Sequence, residues 1–501
     1  MSAPTGFGKS ACSVAVCRWA EHLASVEGSP GGYIFCTQKL LQDQYEKDIL
    51  SYKDSRVASL KSASEYKCCK YENCAIGSRR KKGRCPEAGS DDSRCPYKQA
   101  KNAFFSSPVS ITNYAYLFTE RAALQSFPTR KLAVFDECHS AEKGIISFID
   151  LVISEEQLDE MGVSKFLVDD FKIPENLSTL DEFMSWVKNK YVEVLRQHLD
   201  LMRSDMEASK ADKTLLKLDQ HVSKIQVALG AHDKGACDWV FWKDADRKGK
   251  FQYIARPLDA APFAQDLLFS IGTVRIYMSA WPGAKSIFCK SLGLIPEKVA
   301  WLGLTSTFPV ENRPIYVLPV GSMGKSNFDK TLPSMLKVIG KILTKHKDQK
   351  GIIHSHSYRL GEAIHTHFKD SEHGPRILYP TNGDDRIVFF NQHIESKEPT
   401  VILSPSMTEG FDFHGHLARF AVLAKVPYAS LGDKQVAAKL ERNPEWYSQM
   451  TAQTIVQACG RIVRSETDHG ICYILDADFL RLWSKYENLF PKWFRKAVKI
   501  V

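Results

Sequence analysis

A chain of 501 residues is too long for one ordinary hydrophobic core, so two or more domains are expected. Hydrophobic content of 44% with 25% charged residues excludes an intrinsically disordered chain. No apolar run approaches the roughly 20 residues that span a bilayer, and no basic-then-apolar leader opens the chain, so an intracellular protein is expected. The net charge of +9 suits a polyanionic partner, although so small a surplus serves solubility equally well.

In chain order, Ala3-Pro4-Thr5-Gly6-Phe7-Gly8-Lys9-Ser10 comes first. A glycine-rich turn before Lys-Ser lets backbone N–H groups and a helix N-terminus surround phosphates. Thr5, Gly6 and Gly8 would cradle ATP, Lys9 would neutralise its β and γ phosphates, and Ser10 would hold Mg2+. Ala3 stands where the general pattern has glycine. A phosphate loop ordinarily follows a strand, and this one begins at residue 3. The expectation is a first domain lacking one strand and an adenine-reading segment, with weak nucleotide affinity and low stability.

Residues 61–100 are poor in apolar side chains and rich in Cys, Lys, Arg, Gly and Ser. Cys68, Cys74, Cys85 and Cys95 are separated by five, ten and nine residues, with Cys69 competing for the first position. An odd total of thirteen cysteines, clustered only here, reads as metal binding rather than disulfides. Four thiolates can hold zinc or an iron–sulfur cluster, and spacing does not choose between them. Ligation would supply the folding energy that this segment lacks. Lys67, Lys70, Arg79, Arg80, Lys81, Lys82 and Arg84 would make it a positive knob for phosphates; a solvated basic loop is the alternative.

An apolar strand, Lys131–Phe135, delivers Asp136-Glu137-Cys138-His139 at its carboxyl end, where α/β sheets bind ligands. Asp136 would hold Mg2+, Glu137 would accept the proton of the attacking water, and His139 would relay the nucleotide state. Residues 140–265 are charged and mostly helical in pattern, with little strand signal before Trp239–Trp242. Trp239, Phe241 and Trp242 are read as packing groups rather than base-stacking ones. Other expected buried strands are Tyr33–Cys36, Val274–Met278, Ile315–Leu318, Ile387–Phe390, Val401–Leu403, Phe420–Leu423 and Ile471–Leu475. His354, His356, His365, His367 and His373 lack a carboxylate or thiol at ligand spacing, so no metal is assigned to them. Near the C-terminus, Gln457, Arg461 and Arg464 fall on one face if the segment is helical. From there two arginines could reach a γ-phosphate presented by another domain, the alternative being a solvated basic face.

These boxes resemble the XPD/DinG branch of the superfamily 2 helicases along nearly the whole chain. Thr112-Asn113-Tyr114 is similar to that family's Thr-Asn-His/Tyr segment, and Ser279-Ala280 to its Ser-Ala-Thr box, with Trp281 in place of Thr. Phe308-Pro309 with Glu311-Asn312-Arg313 resembles the start of the second motor domain. Thr408-Glu409-Gly410-Phe411-Asp412-Phe413, followed by Val426-Pro427-Tyr428, looks like the fifth motif and adds Gly410 and Asp412 to the nucleotide site. The resemblance implies an α/β fold of two RecA-like domains with parallel sheets. The first domain, 1–60, 101–139 and 266–305, would carry an iron–sulfur insert at 61–100 and an arch-like helical insert at 140–265; the second would span 306–501. It further implies a 4Fe-4S cluster on the four cysteines, closed by Cys95-Pro96-Tyr97. ATP-driven 5′–3′ movement on single-stranded DNA by a monomer, and opening of forked duplex DNA, would follow. The expected location is the cytoplasm or nucleoid, or the nucleus of a eukaryote. A DNA-stimulated ATPase that remodels protein–DNA complexes without unwinding, and a motor-disabled DNA-binding or redox-sensing protein, remain as alternatives.

Overall fold

A computed structural model of the chain describes residues 1–4, 6–24, 31–51, 56–68, 72–76, 95–124, 127–163, 173–204, 211–245, 249–380, 385–405, 413 and 415–501. Among these residues the chain forms two parallel α/β lobes and an insert. In the first lobe, helix α1 (Lys9–Ala24) precedes β1 (Gly32–Cys36), α2 (Lys39–Ser51), β2 (Val57–Ser59), β3 (Val109–Asn113) and β4 (Arg130–Phe135). The insert then contributes β5 (Leu151–Ser154), β6 (Trp239–Ala245) and β7 (Phe251–Pro257), before β8 (Gly272–Tyr277) returns to the first lobe. The strand order there is β2-β3-β1-β4-β8, with every pairing parallel.

The inner strands β1, β3 and β4 are covered on both faces and buried almost throughout. Val274–Met278, expected as a buried strand, falls mostly in the edge strand β8, where Val274 is 51% exposed because no further described strand covers that side. Tyr33, Phe35, Ala133 and Phe135 point into one cluster, while Ile34, Cys36, Leu132 and Val134 point into the other. At the far edge, Ser2 bridges both Ser279 and Gly303 in parallel. The Ala3 N–H donates to Ser279 O at 3.0 Å, and the Ser279 N–H donates to Met1 O at 3.2 Å. Residues ahead of the phosphate loop are thus held against the end of β8.

The second lobe uses β9 (Ile315–Gly321), β10 (Gly351–His354), β11 (Ile377–Leu378), β12 (Val401–Ser404), β13 (Phe420–Leu423), β14 (Ile471–Asp476) and β15 (Val498–Ile500). Their order is β11-β12-β10-β13-β14-β9-β15, again parallel throughout. Alternate residues divide between its two faces: Ile352 and Ile402 lie in one cluster, Ile353 and Leu403 in the other. Ile387–Phe390, expected as a strand, lies instead in the helix Asp385–Glu395. Four apolar residues are too few to distinguish the two periods. Here Ile387 and Val388 face outward while Phe389 and Phe390 pack on the core.

The insert is not purely helical. Its helices Val192–Ser204 and Ala211–Asp233 pack on an antiparallel sheet of order β5-β7-β6. Leu151, Ile153, Tyr253 and Ala255 on that sheet meet Leu195, Leu218 and Ile225 on the helices in a separate core.

Candidate nucleotide site between the lobes

Gly6 and Gly8 both have φ near +80°, a left-handed backbone that favours glycine, and they turn the chain into α1. Lys9 Nζ donates to the carbonyls of Ala3 and Pro4 at 3.2 and 3.4 Å, so its ammonium folds over the loop. The same charge acts on both Asp136 and Glu137. Ser10 and Asp136 meet through Tyr45 on α2, whose buried hydroxyl bonds Ser10 and donates to Asp136 Oδ2 at 2.8 Å. Asp136 follows β4 and is 2% exposed. Burial, and then Glu137 beside it, push its carboxyl up to about 6 against the pull of Lys9. A divalent cation between Ser10 and Asp136 would reverse that balance and favour the carboxylate.

Glu137 sits at φ 48°, a conformation rare for a residue with a Cβ. Burial works against its ionisation. The His139 hydrogen bond and the charges of Lys9 and Arg461 outweigh burial and hold it below the usual carboxylate range. It is therefore ionised at neutral pH. Ser279 Oγ donates to Glu137 Oε2 at 3.2 Å, and His139 Nδ1 lies 2.8 Å from Ser279 Oγ and 3.2 Å from Glu137 Oε2. Gln457 of the second lobe completes the network, its Nε2 2.5 Å from His139 Nε2. With the amide donating to Nε2, the imidazole proton sits on Nδ1 and faces Ser279 and Glu137. The carboxylate of one lobe is thereby wired to a helix of the other.

Gln457 lies on the helix Pro444–Cys459, but Arg461 and Arg464 do not. The helix ends at Gly460, so the three share no helical face; Arg461 follows in a turn and Arg464 in irregular chain beyond it. Arg461 remains electrostatically close to Glu137 and to buried His354. At Arg464 it is the backbone that meets the phosphate loop: a Cβ on Gly6 would come within 2.5 Å of the Arg464 carbonyl and of the Phe308 ring. Trp281, standing where the resemblance has Thr, donates its indole N–H to Leu489 O at 2.9 Å. Ile287, Trp281 and Ala284 of the first lobe join the core of the second.

Sequence reasoning gave no role to Tyr45 or Gln42, whose only signal was position on α2. Gln42 accepts from Asn113 Nδ2 at 3.1 Å, and Tyr114 donates to Asp136 O at 2.9 Å, so the Thr112-Asn113-Tyr114 segment braces the acidic box from behind. Thr5, Gly410 and Asp412 lie outside the described residues, as does Cys85. Cys74 and Cys95 are each 7% exposed, and Cys68 is half-buried; none of the three is in a disulfide. The Tyr66 and Tyr97 rings lie 5.5 Å apart, Cys74 N–H donates to Tyr66 O, and a Cys74 thiolate would act on Tyr97, next to Cys95. Soft metals take thiolate ligands, and Cys74 and Cys95 are two residues of that chemistry. Among the described residues, no group of three or more His, Cys, Asp or Glu is gathered as a metal site. Likewise no described helix is long and apolar enough to cross a membrane.

The profile of the Helicase C-terminal domain matches residues 340–497. The ATP-dependent DNA helicase DinG of Photobacterium profundum is 23% identical over 264 residues, covering 49% of this chain and 37% of that protein. The ATP-dependent DNA helicase YoaA of Haemophilus influenzae is 18% identical over 430 residues, covering 77% of this chain and 66% of that protein. The chain thus spans about a third to two thirds of the length of these two relatives. A solved XPD helicase structure aligns over all of this chain and 95% of its own, with a TM-score of 0.64 and 17% identity. Xpd4 of S. tokodaii aligns over the same shares, with a TM-score of 0.59 and 14% identity. At these identities the structures speak for the fold.

Proposed function

We propose that this chain, whose fold and motifs are those of the XPD/DinG-like superfamily 2 helicases, is an ATP- and Mg2+-dependent DNA helicase. The observation that carries the reading is the hydrogen-bonded path from Glu137 through His139 to Gln457, which crosses between the lobes beside the phosphate loop. Nucleotide bound by Gly6, Gly8 and Lys9 would be hydrolysed by water activated at Glu137. Asp136 and Ser10 would hold the metal, which stabilises charge developing on the phosphates. Arg461 would add positive charge from the second lobe, making turnover depend on lobe closure; Arg464, Thr5, Gly410 and Asp412 complete the proposed site.

The substrate is inferred to be single-stranded DNA, tracked 5′–3′ into forked duplex by a monomer inside the cell. Cys68, Cys74, Cys85 and Cys95 would hold a 4Fe-4S cluster, whose chemistry here is to fix the fold of a basic segment that has few apolar residues of its own. The test is ATP hydrolysis and strand release on tailed duplexes of both polarities, using anaerobically purified protein. Release from the 5′-tailed duplex alone is expected. Hydrolysis without strand release would favour the remodelling ATPase, and DNA binding without stimulated hydrolysis the motor-disabled protein.

A further inference from the structure

The base of the insert is tied to the second lobe by charged contacts that take no part in the nucleotide chemistry. Glu142, on the helix Ala141–Ile149, pairs with Lys439 and accepts the Trp446 indole N–H at 3.0 Å. Both members of this ion pair are largely buried, with side chains 17% and 10% exposed, and the Lys439 ammonium also lies 4.3 Å from the Trp446 ring centroid. Around it the polarity reverses. Arg256 on β7 joins Asp150 at 3.3 Å and Asp433 at 2.6 Å, and Asp433 is also the N-cap of the helix Lys434–Arg442. At the outer edge Arg442 pairs with Asp238 and, at 3.3 Å, with Asp259.

Opposite signs in neighbouring pairs resist sliding, because a shift of register would set like charges together. The latch also lies next to the chemistry. Glu142 is three residues past His139, and the helix Pro444–Cys459 supplies Trp446 near its start and Gln457 near its end. One second-lobe helix is therefore fastened at both ends to the segment that begins with the proposed base.

We propose that these pairs form a polar latch through which lobe closure on nucleotide is transmitted to the insert, gating passage of the nucleic-acid strand. The gating, though not the latch contacts, rests on the motor reading above. The test uses the full chain and two variants: R256E/K439E, which opposes like charges, and the swap E142K/R256E/D433R/K439E. The swap restores opposite charges across the two lobes at 142–439 and 256–433 and leaves Asp150, within the insert, as it is. In the parent, hydrogen exchange across residues 251–257 and 434–442 should slow on adding ADP–beryllium fluoride. R256E/K439E should lose that response in 251–257, keep unstimulated ATP hydrolysis within twofold, and lose at least fivefold in stimulation by oligo-dT. The swap should recover both. Should R256E/K439E fail to fold, R442E, with D238R/R442E as its rescue, carries the same comparison at the exposed edge. Exchange unaltered by nucleotide in the parent, a charge-reversed chain that responds like the parent, or a swap that rescues nothing overturns the latch. Absent hydrolysis in the parent overturns the motor reading instead, while the exchange data still judge the latch.

Discussion

At the scale of single residues, the site depends on Glu137 being ionised and aimed. Its left-handed backbone, bracketed by the Asp136 side chain and the short helical turn Cys138–Ser140, holds the carboxylate between Ser279 and His139. Strain of this kind persists only where the surroundings enforce it, and it clusters at functional positions. Glu137→Gln should keep ATP binding and lower hydrolysis by about 100-fold or more, the usual loss with a general base. Equal turnover in that variant would reject the assignment. Gln457→Ala removes the donor to His139 Nε2, leaving the tautomer unfixed and the lobes uncoupled. Here kcat should fall several-fold with nucleotide affinity little changed; a rise in KM alone would mean that Gln457 only binds.

At the scale of elements, two turns decide how the site closes. Gly6 needs its positive φ and has no room for a side chain beneath Phe308 and the Arg464 carbonyl. Gly6→Ala should strain the loop by about 1–2 kcal/mol and hold the lobes apart. Nucleotide affinity would fall accordingly, while an unaltered Kd would show that the loop yields elsewhere. Gly460 ends the helix that carries Gln457, and this is why a pattern that reads as one helical face through Arg464 is not one. The cysteine segment has its own test. Cys95→Ser in anaerobically purified protein should abolish brown visible absorbance and lower bound iron, and retained colour would remove Cys95 from the ligand set.

The glycine turn, the acidic box and most of the buried strands were legible in the sequence because each is local, whereas Ile387–Phe390 proved helical and Val274 exposed on an edge strand. Lys9 lies one residue from Ser10, Asp136 follows an apolar run, and the glycines announce their turns. Tyr45, which joins Ser10 to Asp136, gave no such signal; it is one aromatic on an ordinary helix until tertiary packing carries it across the site. The strand β5 escaped for a related reason. Four residues, Leu151–Ser154, are too few to show a period, and only pairing with β7 makes them a strand.

For the molecule as a whole, buried histidines make stability depend on pH. His393 in the second lobe is fully buried: its Nε2 contacts Leu417 O at 2.7 Å and its Nδ1 contacts Thr400 Oγ1 at 2.8 Å. The neutral ring satisfies both partners by donating to the carbonyl and accepting from the hydroxyl. Burial pulls His393 down to about 4, does the same to His356, and holds His354 well below its ordinary value. Unfolded histidine binds its proton near its ordinary value of about 6.5, so between there and about 4 the unfolded chain holds more protons. Stability should be fully present above pH 6.5 and decline as pH falls toward 4. Thermal midpoints across that window would measure the slope. His393→Gln should reduce proton uptake on unfolding by about one proton, and an identical slope would discount His393.

What the sequence determined by itself was the local chemistry and the parallel α/β plan. A glycine turn before Lys-Ser, acids at a strand end and unbroken apolar runs follow from neighbours within a few residues, whose spacing alone sets their geometry. Tertiary structure decided which of these groups meet. Gln457 faces His139 across 318 positions of chain, and Lys439 faces Glu142 across 297. Contacts at such separations are chosen by how buried faces pack, which is a property of the folded surface rather than of any stretch of sequence.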